Sequence, residues 1–331
     1  MADRVPPFPA GAAIQPSVSA ADFSEKVDFA FRYDALAIAN CRGAVRIVSQ
    51  PSANRRGIVA VIAASGSFAA NDAIVKLVAR QYPLGEVIFV RGLLTCLLVG
   101  VLLTLLGHAP ALRFTLNKVV IARSCMEALS TLLFTSALVR MPLASLSTIV
   151  SVAPLVLTAF SVIAYKEQVG WRRWTAIAVG FAGALFVVKP TPGSFDVWAL
   201  LGLACAFSSA GRDILTRGLP FGIPSILVSF SSAVAVTLVG ACLGLGETWR
   251  AMHWEAVGLL AVAACFLASA NFFVVLAYRG VDIAAVGPFR YSNVVWAGLA
   301  GFLIFGEIPD RWAALGAALI VGSGIYSLHR E

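Results

Sequence analysis

The feature that most limits this chain is a series of apolar runs separated by short polar breaks, each run about the length of a bilayer-spanning helix. A hydrocarbon core about 30 Å thick takes about 20 helical residues to cross. Ten such runs are read from residue 57 onward: Gly57–Leu77, Gly85–Leu106, Asn117–Val139, Pro142–Tyr165, Trp171–Val188, Val197–Arg217, Ile223–Leu245, Trp254–Tyr278, Ile283–Phe305 and Trp312–Leu328. The apolar residues in them are continuous and do not alternate, which argues for helices over a strand-built barrel. Composition agrees. The chain is 59% hydrophobic and 13% charged, where a soluble domain has about 25% charged residues. The expected fold class is all-α: a polytopic membrane protein with ten transmembrane helices.

The helix breakers fall where this reading needs them. Pro83, Pro110, Pro142, Pro190, Pro192, Pro220, Pro224 and Pro309 lie in or beside expected loops. Pro154 and Pro288 fall inside spans, where a proline loosens the helix and frees backbone carbonyls. Residues 1–54 lack a run of spanning length and are polar and Pro/Ala-rich at the start. They are expected to form a disordered cytoplasmic tail, in which residues 33–48 have the pattern of a short basic amphipathic helix on the membrane surface.

Lysine and arginine set the orientation. With the N-terminus inside, Arg42, Arg46, Arg55, Arg56, Arg113, Lys118, Lys166, Arg172, Arg173, Arg217, Arg279 and Arg330 lie on the cytoplasmic side, about twice as many as on the other side. Both termini are therefore expected in the cytoplasm. This bias also accounts for the formal net charge of +8, so no nucleic-acid partner is implied. Cys96, Cys125, Cys205, Cys242 and Cys265 sit inside apolar runs and make no CxxC spacing. His108, His253 and His329 are too scattered for a metal site. Neither a metal nor a cofactor is expected.

The chain also repeats itself. Glu167 and Glu307 each follow an apolar span and precede a Trp-containing start of the next, 140 positions apart. At an offset of 141, Ser67 meets Ser208, Asp72 meets Asp213 and Lys76 meets Arg217. Several matches at nearly one offset point to duplication. Five helices per block is an odd number, so the second block enters the membrane from the opposite side. Two inverted five-helix repeats, residues 57–190 and 195–329, are the organisation expected, and inverted repeats are typical of secondary transporters.

Several stretches give these blocks a family likeness. They are Ala137-Leu-Val-Arg-Met-Pro-Leu-Ala144 leading to Tyr165-Lys166-Glu167, Trp171-Arg-Arg-Trp174 leading to Lys189-Pro190, and Gly287-Pro-Phe-Arg-Tyr291 leading through Trp296 to Phe305-Gly-Glu-Ile-Pro309. In their order and spacing the chain resembles the EamA proteins of the drug/metabolite transporter superfamily over about residues 57–329. The resemblance implies a ten-helix carrier of a small metabolite in an inner (plasma) membrane. The segments Asn71-Asp-Ala-Ile-Val-Lys76 and Phe89-Val-Arg91 are similar to the branch that includes carriers of S-adenosylmethionine or riboflavin, with amino acids a further substrate class for the family.

Charged residues inside spans are the best pointers to a site, because a charge at mid-bilayer costs at least about 2.5–3.5 kcal/mol. Arg91, Arg123, Glu127 and Arg290 are such residues. With Asn271, Tyr291 and Trp296 they are the candidate substrate-binding set. Arg123 and Glu127, at i and i+4, share one helix face and admit a second reading, a pair that merely neutralises itself. Asp72 with Lys76, and Asp213 with Arg217, are i, i+4 pairs near span ends. They are candidate gates on opposite faces, with interfacial anchoring the competing reading. Glu127 and Asp72 are the carboxylates in the first repeat suited to coupling a proton, and a counter-substrate is the other driving partner. No GxxxxGK[ST] occurs, which argues against a pump. A membrane enzyme acting on lipid or a lipid-linked sugar is the alternative, disfavoured by short loops poor in His, Asp and Glu.

Overall fold

In the computed structural model the described residues are 51–331, except 108, 166–170, 189–196, 218, 220–222, 279–286, 309 and 329–331. The expected tail, its amphipathic segment at 33–48, and Glu167 lie outside them. Every regular element among the described residues is helical. In chain order they are α1 Pro51–Val78, α2 Leu84–Leu105, a 3₁₀ turn Ala109–Leu116, α3 Lys118–Leu138, α4 Leu143–Val150, α5 Ala153–Tyr165 and α6 Trp171–Val188. There follow α7 Val197–Arg217, α8 Ser225–Gly244, α9 Trp254–Tyr278, a 3₁₀ turn Gly287–Tyr291, α10 Ser292–Phe305 and α11 Arg311–Leu328. Five stretches are both long and apolar enough to cross a bilayer: Arg55–Val78, Leu84–Leu105, Lys118–Leu138, Ser225–Gly244 and Trp254–Val274. Leu143–Leu157, Ile177–Val187, Phe289–Phe305 and Arg311–Ser323 are shorter apolar helical stretches. The protein is an integral membrane protein of several spans.

Three expected boundaries change. Helix α1 starts at Pro51, so the tail's bound at 54 runs into it. The fourth span is two helices, because Pro154 has no N–H to continue the ladder and α4 stops at Val150. The described part of the ninth span, from Gly287 onward, is a 3₁₀ turn around Pro288 followed by an α-helix from Ser292. Each internal proline thus lies beside or within a stretch that is not α-helical.

Helix α2 shows what medium this fold is built for. Leu93, Leu97, Val101 and Leu105 recur every fourth residue and are 43%, 58%, 57% and 77% exposed. On the opposite stripe Arg91, Thr95, Val99 and Leu103 are all buried. A water-soluble helix hides the leucines and shows the arginine. Here the leucines face outward and the arginine inward, the arrangement that a hydrocarbon surrounding favours.

Helix pairs approach through small residues. α2 packs on α8, α6 on α11, α1 on α9 and on α10, α3 on α7 and on α8, α2 on α9, and α4 with α5 on α7. At the α2–α8 crossing a Cβ added to Gly240 would lie 2.6 Å from the Phe89 backbone N. At the α6–α11 crossing one added to Gly316 would lie 2.5 Å from the Gly183 carbonyl oxygen. Without a hydrophobic driving force in lipid, such backbone approaches supply much of the association. The largest buried cluster, which includes Val75, Leu138, Leu143, Leu146, Ile149 and Leu260, ties α1, α3, α4 and α9 together.

Candidate functional site

The polar interior begins where α1 and α2 face each other. Asn71 and Asp72 lie on α1; Arg91 lies seven residues into α2, about 10 Å from its start at 1.5 Å per residue. Asn71 Nδ2 donates to Asp72 Oδ1 at 2.9 Å, and Arg91 Nη1 approaches Asn71 Oδ1 at 3.4 Å. Arg91 is 7% exposed. Asp72 and Glu127 are the carboxylates whose charges act on it.

Glu127 carries the polar region on to α3, α7 and α8. It pairs with Arg123 one turn earlier at 3.8 Å and with Arg212 of α7 at 3.1 Å. Arg212 also holds its neighbour Asp213 at 2.9 Å. The Arg123 guanidinium donates to Thr216 Oγ1 at 2.9 Å and to Ser232 Oγ at 2.6 Å. Ser124 reaches Ser231 at 3.1 Å beside it. The result is a run of three guanidiniums (Arg91, Arg123, Arg212) and three carboxylates (Asp72, Glu127, Asp213) on four helices, α1, α2, α3 and α7. Such a site offers both signs of charge to a ligand without carrying a net charge itself.

A second polar group lies at one end of the bundle. Lys76, near the end of α1, donates to Glu307 Oε1 at 2.5 Å and to the Met141 carbonyl at 2.6 Å. Glu307 Oε2 accepts the Leu143 N–H at 2.8 Å, and so supplies an acceptor to the start of α4, where Pro142 has none to give. At the same end, Glu247 accepts the Gly85 N–H at 2.8 Å and Glu86 accepts the Arg250 N–H at 3.1 Å. The Tyr82 hydroxyl accepts the His253 N–H at 3.1 Å. Arg80 lies over the Phe305 ring and Arg140 over Trp198.

The sequence candidates divide accordingly. Arg91, Arg123, Glu127, Asp72 and Asp213 come together in the charged interior. The expected i, i+4 pair of Asp72 with Lys76 does not form: Asp72 turns to Asn71, and Lys76 to Glu307. Asp213 pairs with Arg212, and the Arg217 side chain lies outside the described residues. Asn271 is not part of the cluster. It is exposed on α9 and its amide bonds the Leu267 carbonyl of its own helix at 2.9 Å. Arg290 is exposed in the 3₁₀ turn. Trp296 is 38% exposed and lies against Gly66 of α1, lining a groove between α1, α9 and α10. Tyr291 is buried beside the break before α10. Two participants were not foreseen. Arg212 occupies, at the 141 offset, the place of Asn71, and that register was the signal that could have found it. Glu307 marks the repeat but gives no sequence hint that its partner is Lys76.

Comparison with known proteins accords with this picture. Residues 55–189 match the EamA-like transporter family. The S-adenosylmethionine uptake transporter of Rickettsia prowazekii is 28% identical over 186 residues, which is 56% of this chain and 63% of that protein. The pseudopaline exporter CntI of Pseudomonas aeruginosa is 26% identical over 273 residues, 81% of this chain and 94% of its own length. A riboflavin transporter of Vibrio cholerae is 32% identical over 171 residues, 51% of this chain and 57% of that protein. One solved crystal structure covers 84% of this chain and 96% of its own with a TM-score of 0.51 at 18% identity, a likeness of fold alone. Over its first half the chain is thus similar to the EamA-like transporter family, and the relatives it matches are named as transporters or exporters of small molecules.

Proposed function

We propose that the chain is a secondary carrier of a small zwitterionic metabolite, working by alternating access with two inverted five-helix repeats. The observation that carries this reading is the pairing of helices. Exchange the first five spans (α1, α2, α3, α4 with α5, α6) for the last five (α7, α8, α9, α10, α11). The pair α1–α9 then becomes α7–α3, α2–α9 becomes α8–α3, and α1–α10 becomes α7 with α4 and α5; every one of these pairs is in contact. The pairs α2–α8 and α6–α11 map onto themselves. The family match at 55–189 also runs close to the first repeat's expected bounds of 57–190.

The polar contacts support one stage of such a cycle. Lys76, at the end closed by Glu307, is 3% exposed. Toward the other end of the bundle Arg123, Arg212, Glu127 and Asp213 are 16%, 23%, 26% and 26% exposed. A path shut by the Lys76–Glu307 contacts and opening past Arg212 is an inward-facing arrangement if both termini lie in the cytoplasm. In that frame Lys76 with Glu307 is the outer gate, and Arg217 with Asp213 belongs to the inner one. The mixed charges suit a head group bearing an amine and a carboxylate, which amino acids and S-adenosylmethionine both have.

Counterflow in proteoliposomes tests this. Vesicles loaded with a pool of amino acids, S-adenosylmethionine and riboflavin are challenged with one labelled compound at a time. Transient accumulation of a zwitterionic compound is the expected result. A folded, reconstituted protein that exchanges none of them, with Arg212→Ala indistinguishable from wild type, overturns the reading.

A further inference from the structure

At the break before α10, three consecutive residues hold buried polar atoms with no hydrogen-bond partner: the Tyr291 and Ser292 hydroxyls and Asn293 Oδ1. Tyr291 is 5% exposed. Buried polar atoms are nearly always paired, because one left unpaired keeps its whole desolvation cost. Three in succession, beside the 3₁₀ turn that opens the described part of this span, call for an absent partner.

The surroundings say what kind. Tyr291 belongs to a buried cluster with Val152, Val156, Ala210 and Ile320, against which Phe160 and Phe181 pack. None of these side chains is charged. Val152 stands at the other helix break, between α4 and α5. The cluster therefore joins both interrupted spans, and discontinuous helices are where carriers of this general build expose backbone and side-chain polar groups to a ligand. Two hydroxyls and an amide supply donors and acceptors without formal charge, while the aliphatic and aromatic neighbours suit a flat apolar face. The charge that acts on Tyr291 is that of its neighbour Arg290, which is exposed in the turn and lies outside the cluster.

We propose that Tyr291, Ser292 and Asn293 form a neutral hydrogen-bonding subsite that receives the edge of a planar heteroaromatic group on the transported molecule. This deepens the carrier reading and rests on it. The charged run Arg91–Glu127–Arg212 orients the zwitterionic part, and the subsite selects the ring.

The test uses the full chain in nanodiscs, with adenosine and riboflavin as ring-bearing probes and leucine as a ring-less one, read by equilibrium binding and, in proteoliposomes, by counterflow. Wild type is expected to bind at least one ring-bearing probe. Tyr291→Phe and Asn293→Ala should each weaken that binding about tenfold. Tyr291→Phe without ligand should melt no lower than wild type, since the hydroxyl it removes has no partner. Equal binding of ring-bearing probes by wild type and both variants overturns the subsite. So does a wild type that exchanges leucine and binds no ring-bearing probe, an outcome that leaves the carrier reading intact. Ring binding that depends on Tyr291 in a protein that exchanges nothing keeps the subsite and removes the carrier.

Discussion

Lys76 and Glu307, 231 positions apart in sequence, meet at 2.5 Å, and each also holds a backbone group flanking Pro142. The lysine donates to the carbonyl of Met141 and the carboxylate accepts from the N–H of Leu143. The pair thus ties the end of α1 and the start of α4 to the residue just past α10. Its polarity is fixed by the backbone as well as by charge.

Glu307→Gln and Lys76→Met should both lower thermal stability, since each leaves a buried partner uncompensated. About 3–5 kcal/mol is the cost for a fully buried pair, and Glu307 is 17% exposed, so the loss should fall below that range. Melting of the purified protein checks the size. A thiol placed at Arg140 should at the same time label faster from that face than in the otherwise wild-type chain.

Exchanging the two charges, Lys76→Glu with Glu307→Lys, should fail to rescue either single variant. The swapped carboxylate would face the Met141 carbonyl and the swapped ammonium the Leu143 N–H. Recovery of wild-type melting and counterflow would show that only the charge matters. By the same reasoning, Asp72→Lys with Lys76→Asp sets a carboxylate against Glu307 and should abolish transport.

Arg212→Ala removes a cation shared by Glu127 and Asp213 and should reduce counterflow by on the order of tenfold or more. Arg212→Lys, which keeps the charge but not the forked geometry, should fall between. Arg290→Ala, at an exposed position, should leave exchange within about twofold, the range of a surface change away from any special feature. Initial rates in proteoliposomes of equal protein content decide all three.

Gly240→Val forces a side chain onto the Phe89 backbone at the α2–α8 crossing, and overpacking of this kind costs about 1–3 kcal/mol. Gly258 on α9 has open space where a Cβ would go, so Gly258→Ala should be neutral or stabilising by about 0.5–1 kcal/mol. Melting curves of the two variants, taken in the same detergent, should move in opposite directions or leave Gly258→Ala unmoved.

Leu97→Asp tests which stripe of α2 meets lipid. On a water-facing surface the change would lie within about ±0.5 kcal/mol; on a lipid-facing one it costs about 2.5–3.5 kcal/mol near mid-bilayer. Membrane-inserted yield should drop sharply, as it would not for a soluble surface.

The sequence carried the span pattern because lipid imposes it on every helix separately: length, continuity and breaker positions are local properties. The breaks at Pro154 and Pro288 were legible for the same reason, since proline acts on its own helix. Arg91, Arg123 and Glu127 stood out because charges inside apolar runs are costly. Asn271 lies apart from that group because a neutral amide can bond the carbonyl one turn back and needs no cavity. Lys76 and Asp72 are correctly spaced on one face, yet a stronger partner arrives from residue 307. Helical spacing shows which pairs are possible, and only packing shows which form.

The acceptors at the closed end have one more consequence. Gly85 at the start of α2 relies on Glu247, and Leu143 at the start of α4 relies on Glu307. Each donor lies in the first half of the chain and each acceptor in the second. The first half, made alone, could not complete these two helix starts. A gene cut between α6 and α7 should therefore yield a working protein only when both pieces are made in the same cell.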